Sequence, residues 1–273
     1  MFLIALLINL TRFNLIFGVK WEYIQAMIKQ AVLLCGGEGT RLRPYTYTMS
    51  KQMIPILGHP LTEWNIVQFK KHGVTDFLIN LYTKPEVMRG YLGDGSKWDV
   101  KITYNLEEKP PGVAGSIKLF EKYADDEFFV IYGDMLSFVD YTKMEKVWRE
   151  KPAGAMGMQR TQKMEDYRDA DVAELDVNGK FVAIHPKPHD RAYPNAHRMR
   201  GVFILKKKIL SYVPTDRYYE IGRDLLPDII KHGESFYSYE CSDYSKGIDT
   251  VEKWREVEEY LRQHNITFDS FAK

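Results

Sequence analysis

The chain has 273 residues, 45% of them hydrophobic and 27% charged, proportions that exclude a disordered or collagen-like polypeptide. Its 38 lysines and arginines against 37 acidic residues leave a net charge of +1, which excludes nucleic acid as an electrostatically held partner but allows a local basic site for one small anion. Two cysteines, Cys35 and Cys241, cannot build a disulfide framework or a CxxC metal site, so the chain reads as cytoplasmic, with a core large enough to need no cross-links.

Residues 1–19 are apolar apart from Asn9, Thr11, Arg12, Asn14 and Gly18. No basic stretch precedes this run and no small-x-small cleavage site follows it. It is short of the roughly 20 residues of a membrane span, and Arg12 near its middle would cost about 2.5 kcal/mol or more. Residues 1–26 are therefore read as an upstream extension from an early start codon, with an interfacial anchor or a signal-like segment as alternatives. Residues 27–273 are expected to form the folded unit, without membrane association.

From Met27 onward, short strand-like runs alternate with helical ones. Strands are expected at 28–34, 75–81, 100–104 and 128–132, and helices at 60–72, 85–91 and 113–123. Such alternation implies parallel βαβ units with right-handed crossovers, whose ligands bind at the carboxyl ends of the strands. After about residue 150 the pattern turns β-rich, with strands expected at 153–160, 172–176, 180–184, 201–205 and 235–241. The Asn178-Gly179 pair marks a hairpin. Helices are expected at 223–232 and 251–264. The fold class is thus α/β: a Rossmann-like mixed, mostly parallel sheet flanked by helices, with a β-rich second half.

The most informative stretch follows the first strand: Gly36-Gly37-Glu38-Gly39-Thr40-Arg41-Leu42-Arg43-Pro44, with Lys51 shortly after. Glycines let backbone N–H groups approach phosphate oxygens. The dinucleotide fingerprint GxGxxG meets Leu42 at its third glycine, Pro44 opposes a helix opening there, and no Gly-Lys-Ser/Thr completes a P-loop. A glycine turn carrying Arg41, Arg43 and Lys51 remains, suited to a triphosphate. An NAD-dependent oxidoreductase would need the fingerprint that fails.

The longer string GGEGTRLRPYTYTMSKQMIPILGHP, residues 36–60, resembles the signature of the sugar-1-phosphate nucleotidylyltransferases. The resemblance extends to Pro111-Gly112-Val113-Ala114-Gly115-Ser116, similar to the family's base-contacting loop, and to Tyr132-Gly133-Asp134, similar to its Gly-Asp metal motif. It continues through Asp224-Leu225-Leu226-Pro227 and Gly247-Ile248-Asp249-Thr250, covering residues 27 to about 261. It implies a nucleotide-diphospho-sugar transferase fold over 27–273 and attack of a sugar 1-phosphate on the α-phosphorus of an NTP. The NTP would lie on Gly36, Gly37, Gly39, Thr40, Arg41, Pro111, Gly112 and Gly115. Arg41 and Lys51 would be catalytic, Lys187 and Gly201 would hold the sugar phosphate, and Asp134 and Asp249 would bind Mg²⁺. Lys51-Gln52 is similar to the thymidylyltransferase branch and leans toward dTTP or UTP, while the short length also suits GTP- or CTP-using relatives such as the heptose and mannose guanylyltransferases. Members often assemble as homo-oligomers.

Two departures leave the sugar open. Pro186 stands where the family has a Glu before its Lys, and Arg191, Arg198 and Arg200 crowd the approach to Gly201, either as a solvated loop or as contacts for extra negative charge on the substrate. His185, His189 and His197 are too irregularly spaced for zinc. Cys35 reads as a small buried hydrophobe, and the tyrosines between 212 and 219 as packing residues, with the lining of a sugar pocket as the alternative. A catalytically silent homologue that binds sugar nucleotides is the rival reading; it would lose Arg41, Lys51 or a metal Asp, and all four candidates are present.

Overall fold

The computed structural model describes residues 27–160, 170–189, 191, 193 and 196–272; the expected extension over 1–26 lies outside them. The chain enters through β1 (Gln30–Leu34), buried throughout. The glycine loop and three short 3₁₀ turns lead to a small ribbon of β2 (Pro55–Ile56) and β3 (His59–Pro60). Next come α1 (Leu61–Lys71), β4 (Asp76–Leu81), α2 (Pro85–Leu92), β5 (Lys101–Leu106), α3 (Val113–Lys118) and β6 (Glu127–Tyr132). The order β6-β1-β4-β5 is parallel throughout, which is the βαβ arrangement expected from the alternation.

Side chains on these strands divide between two cores with a period of two. In β1, Ala31 and Leu33 face one core while Val32 and Leu34 face the other, and in β6 Phe129 and Ile131 oppose Phe128 and Val130. Burial on both faces explains why the strands read as continuous apolar runs. One core takes α1 and α4 (Tyr141–Arg149), where Phe69 and Tyr141 stack 4.0 Å apart. The other takes α3 and α5 (Leu226–Lys231).

The second half adds β8 (Ala155–Arg160), β9 (Val172–Leu175), β10 (Phe181–His185), the long β11 (Ala196–Lys206) and β12 (Phe236–Glu240). β11 joins the halves: residues 202–206 run antiparallel to β6, while residues 196–198 pair with β9. β8 lies along its other pairing edge, with an irregularity between Met199 and Phe203, giving one nine-stranded mixed sheet. A separate ribbon pairs β7 (Met135–Ser137) with β13 (Ser245–Gly247). α6 (Val251–Gln263) and α7 (Phe268–Ala272) then pack over the ribbon and α1 in a third core around Trp64.

Several expected elements shift. The helix expected from Pro60 starts at Leu61, because Pro60 lies in β3 with an extended backbone. Its apolar face is not one-sided: residues 61–69 are all buried, since the helix sits between the sheet and the C-terminal helices. The helix expected over 113–123 ends at Lys118 and continues as turns. The one expected from 223 is preceded by a π-helical turn over Ile221–Leu225. The α4 and α7 helices and the β7–β13 ribbon were not expected.

Candidate active site

The glycine loop leaves β1 at its carboxyl end. The Cys35 N–H donates to Asn80 Oδ1 at 2.7 Å, anchoring the loop to β4. Gly39 has φ +67°, a conformation that disfavours side chains, and its carbonyl accepts from the Leu42 N–H at 2.9 Å and the Thr46 hydroxyl at 2.8 Å. No α-helix opens on the loop; Thr40–Leu42 forms a single 3₁₀ turn. The loop cradles Lys51: a Cβ at Gly37 would lie 2.7 Å from Lys51 Cε, and one at Gly39 2.8 Å from Lys51 Cβ. Glycine here makes room for the lysine stem as well as for any phosphate.

Lys51 Nζ lies 2.5 Å from Asp134 Oδ2, both side chains about four-fifths buried. Arg41 Nη2 lies 2.7 Å from Asp249 Oδ2, and Lys253 Nζ 2.8 Å from Asp249 Oδ1. Asp134 and Asp249, more than a hundred residues apart, meet through the β7–β13 ribbon. Met135 pairs with Gly247 and the Ile248 N–H donates to the Asp134 carbonyl at 2.7 Å, so both carboxylates line one cavity. Burial pushes the Asp249 carboxyl up, but the Lys253 ammonium against it and the charges of Arg41 and Lys51 outweigh it and hold the group below the usual carboxylate range. The α6 N-cap is Thr250, whose hydroxyl accepts from the Lys253 N–H, so Asp249 is not spent on capping.

Two cavities open over this region. The larger, about 540 Å³, is lined by Asp134, Asp171, Lys187, Arg198, Arg200, Gly201, Asp249 and Lys253 among others. The smaller, about 210 Å³, is lined by Gly36, Gly37, Lys51, Gln52, Asn80, Glu107, Gly112 and Ser116 among others. Tyr132 and Asp134 belong to both, so the cavities form one cleft with a shared floor.

The site residues expected from sequence distribute unevenly over this cleft. Gly36, Gly37, Lys51 and Gly112 line the smaller cavity, and Lys187, Gly201 and Asp249 the larger. Gly39, Thr40, Arg41, Pro111 and Gly115 line neither. Arg41 reaches the cleft through Asp249, with its side chain 66% exposed, while Arg43 lies 5.4 Å over the Tyr47 ring, outside both cavities. Pro111 packs behind: its carbonyl accepts from the Tyr219 N–H at 2.9 Å, and a Cβ at Gly115 would fall 2.8 Å from its ring. The Ala114 and Gly115 N–H groups donate to the Tyr219 carbonyl at 3.0 and 3.2 Å, so this loop clamps the segment carrying Tyr218 and Glu220 over the smaller cavity. Tyr219 itself is core-packed, in keeping with the sequence reading, whereas Tyr218 is half exposed at the cavity rim.

Arg198 and Arg200 lie on β11 and line the larger cavity instead of a solvated loop; Arg191 is exposed, 5.0 Å over the Tyr193 ring. His185 stacks on Tyr193 and pairs with Glu174 at 2.8 Å, and His189 meets the Ala170 carbonyl at 2.8 Å. Cys35 is buried, and burial with the nearby Asp134 charge pushes its thiol up to about 12, far from a nucleophilic thiolate.

Sequence reasoning missed Lys253, Asp171, Asn80 and Glu107. Lys253 had a signal, since it follows Asp249 by four residues at a helix start. Asp171, which accepts the Lys187 N–H at 3.1 Å, and Asn80, at the end of β4, had none beyond their strand-end positions.

Residues 30–260, well over half of the chain, match the family model described as nucleotidyl transferase. The chain belongs to the nucleotidyl transferase family. Within that family it is 32% identical over 221 residues to a UTP–glucose-1-phosphate uridylyltransferase of Synechocystis, covering 77% of this chain and 57% of that protein. It is 28% identical over 224 residues to a mannose-1-phosphate guanylyltransferase of Mycobacterium tuberculosis, covering 81% and 61%. The chain thus spans about three-fifths of the length of these curated relatives. A crystal structure of a UDP-glucose pyrophosphorylase complexed with UDP-glucose superimposes with a TM-score of 0.75 at 18% identity, covering 87% of this chain and all of that chain, which shows a shared α/β fold. No helix among the described residues is long and apolar enough to cross a membrane.

Proposed function

We propose that residues 27–273 form a catalytic domain that transfers a nucleotidyl group from an NTP to a sugar 1-phosphate, yielding an NDP-sugar and pyrophosphate. The observation that carries this reading is the Lys51–Asp134 pair at the seam of a two-part cleft, with the glycine loop on one side and Lys187 on the other. A phosphate oxygen of the sugar 1-phosphate forms a bond to the α-phosphorus as the bond to the β-phosphate oxygen breaks and its electron pair leaves with pyrophosphate. The nucleophile is already an anion, so no general base is needed, and catalysis consists of alignment and charge neutralisation.

In this reading Lys51 lies between the α-phosphate and the incoming phosphate and lowers the repulsion between them. Arg41, long and exposed, swings from Asp249 to the β- and γ-phosphates, where its planar fork neutralises charge on the leaving group. Lys187 holds the sugar phosphate. Asp134 and Asp249 suit Mg²⁺, which is held through one or two carboxylates with water and phosphate oxygens completing its shell; both face one cavity, each already against a cation that could be exchanged. When bound there, Mg²⁺ would neutralise phosphate charge. The silent-homologue reading is disfavoured because every residue it would lose is present: Lys51, Asp134 and Asp249 line the cleft and Arg41 pairs with Asp249.

Incubating the chain with Mg²⁺, each common NTP and a panel of sugar 1-phosphates, and measuring pyrophosphate, tests the proposal. At least one pair is expected to release pyrophosphate in step with NDP-sugar. Silence across the whole panel would leave only a binding role.

A further inference from the structure

The smaller cavity contains a group that the transfer reaction does not use. Glu107 immediately follows β5, and its side chain is almost completely buried, the residue being 5% exposed. Its Oε1 accepts from Asn80 Nδ2 at 2.9 Å; burial pushes the carboxyl up, an effect that the neighbouring Ser116 and Asn80 side chains oppose. Asn80 is fixed in turn, because its own oxygen holds the Cys35 N–H. The carboxylate is therefore oriented from β4 through Asn80, with the glycine loop against it. Gly36 packs directly on it, and a Cβ there would lie 3.0 Å from Glu107 Oε2 and 2.7 Å from Asn80 Nδ2.

Burying a carboxylate costs free energy unless its lone pairs are met. An ionised carboxylate offers about four acceptor sites, and Asn80 fills one. Leu34 and Val113 give the cavity an apolar surface against which a flat ring can lie. The cavity thus asks for a planar ligand with adjacent N–H donors along one edge.

The common bases differ on this point. Guanine carries two neighbouring donors, N1–H and the N2 amino group, which match a carboxylate as a bidentate pair. Uracil and thymine offer one N–H flanked by two carbonyl oxygens that a carboxylate repels. Cytosine and adenine set an amino group beside a bare ring nitrogen. Resting on the proposed function, we propose that the NTP taken by this chain is GTP and that Glu107 reads the guanine edge. Lys51-Gln52 had leaned toward dTTP or UTP; the buried Glu107 carboxylate argues against a pyrimidine edge rich in carbonyls.

The test is calorimetric binding of GTP, UTP, dTTP, CTP and ATP, each with Mg²⁺, to the full chain and to its Glu107→Gln variant. GTP is expected to bind the unaltered chain on the order of 10- to 100-fold more tightly than the pyrimidine triphosphates, since a site built for a donor pair rejects analogues that lack it. Glu107→Gln, which keeps the shape but turns one acceptor into a donor, should abolish that preference while leaving UTP and dTTP binding equal or improved. A pyrimidine triphosphate binding the unaltered chain as tightly as GTP would overturn the assignment and leave the transferase reading intact. Equal weakening of all five in the variant would make Glu107 a packing residue and also overturn it. Binding of no triphosphate would sink both.

Discussion

The Lys51 ammonium and the Asp134 carboxylate lie 2.5 Å apart, and each is largely enclosed by the glycine loop and the seam of the cleft. Removing one partner leaves the other charge partly buried and uncompensated. The two substitutions that test the pair therefore have to be read for both activity and stability. Lys51→Ala removes the cation proposed to separate two phosphates, and Asp134→Asn keeps the shape while discarding the charge that Mg²⁺ would need. Each is expected to lower kcat/KM by about 10²–10³, the usual loss when one preorganised electrostatic group is deleted. Circular dichroism should remain native in both. Near-normal turnover in either would remove that residue from the proposed chemistry. The nearby Cys35 thiol, pushed up to about 12 mainly by burial, has no comparable part, because it stays protonated wherever the enzyme would work.

At the scale of elements, what could be read in advance was whatever local pattern decides. β1 and β6 are buried on both faces, so their unbroken apolar runs QAVLL and EFFVIY signalled central parallel strands. The glycine loop was legible for the same reason, since its turn chemistry is local. α4 carried a readable pattern too: Asp140 caps it by accepting the Lys143 N–H at 3.0 Å, and Tyr141, Met144, Glu145 and Trp148 face inward at helical spacing. The polar residues between them masked it. The β7–β13 ribbon is different in kind, with three residues per strand and more than a hundred residues between them, so only tertiary packing could define it. That ribbon is what brings Asp249 to Asp134, and the next element, α6, keeps it there through Thr250 and Lys253. Thr250→Ala removes the cap, costing about 1 kcal/mol and lowering Tm by about 2–4 °C for a chain of this size. Scanning calorimetry measures the shift; an unchanged Tm would mean the hydroxyl does not cap the helix in solution.

For the whole molecule, the near-zero net charge conceals a local concentration of opposite charges: Arg41, Lys51, Lys187 and Lys253 around Asp134, Asp171 and Asp249. What allows one cleft to collect them is β11, which pairs with β6 of the parallel half and with β9 of the β-rich half. Gly201 sits between those two stretches of pairing. A Cβ there would fall 2.5 Å from Tyr132 Cγ and 2.6 Å from Cδ2, well inside any contact that real side chains make. Tyr132 is the floor common to both cavities, so the glycine lets the joint between halves and the shared floor occupy the same place. A methyl group at this point must displace the Tyr132 ring or the β6–β11 ladder beside it, and overpacking of this kind costs about 1–3 kcal/mol. Gly201→Ala is accordingly expected to lower Tm by several degrees and, where the ring yields, to raise KM for the nucleotide and the sugar phosphate together, although Gly201 lines only the larger cavity. Steady-state kinetics with each substrate varied in turn separates this from a local effect. A rise in KM confined to the sugar phosphate would mean that Gly201 acts as a contact in one cavity and that Tyr132 does not couple the two.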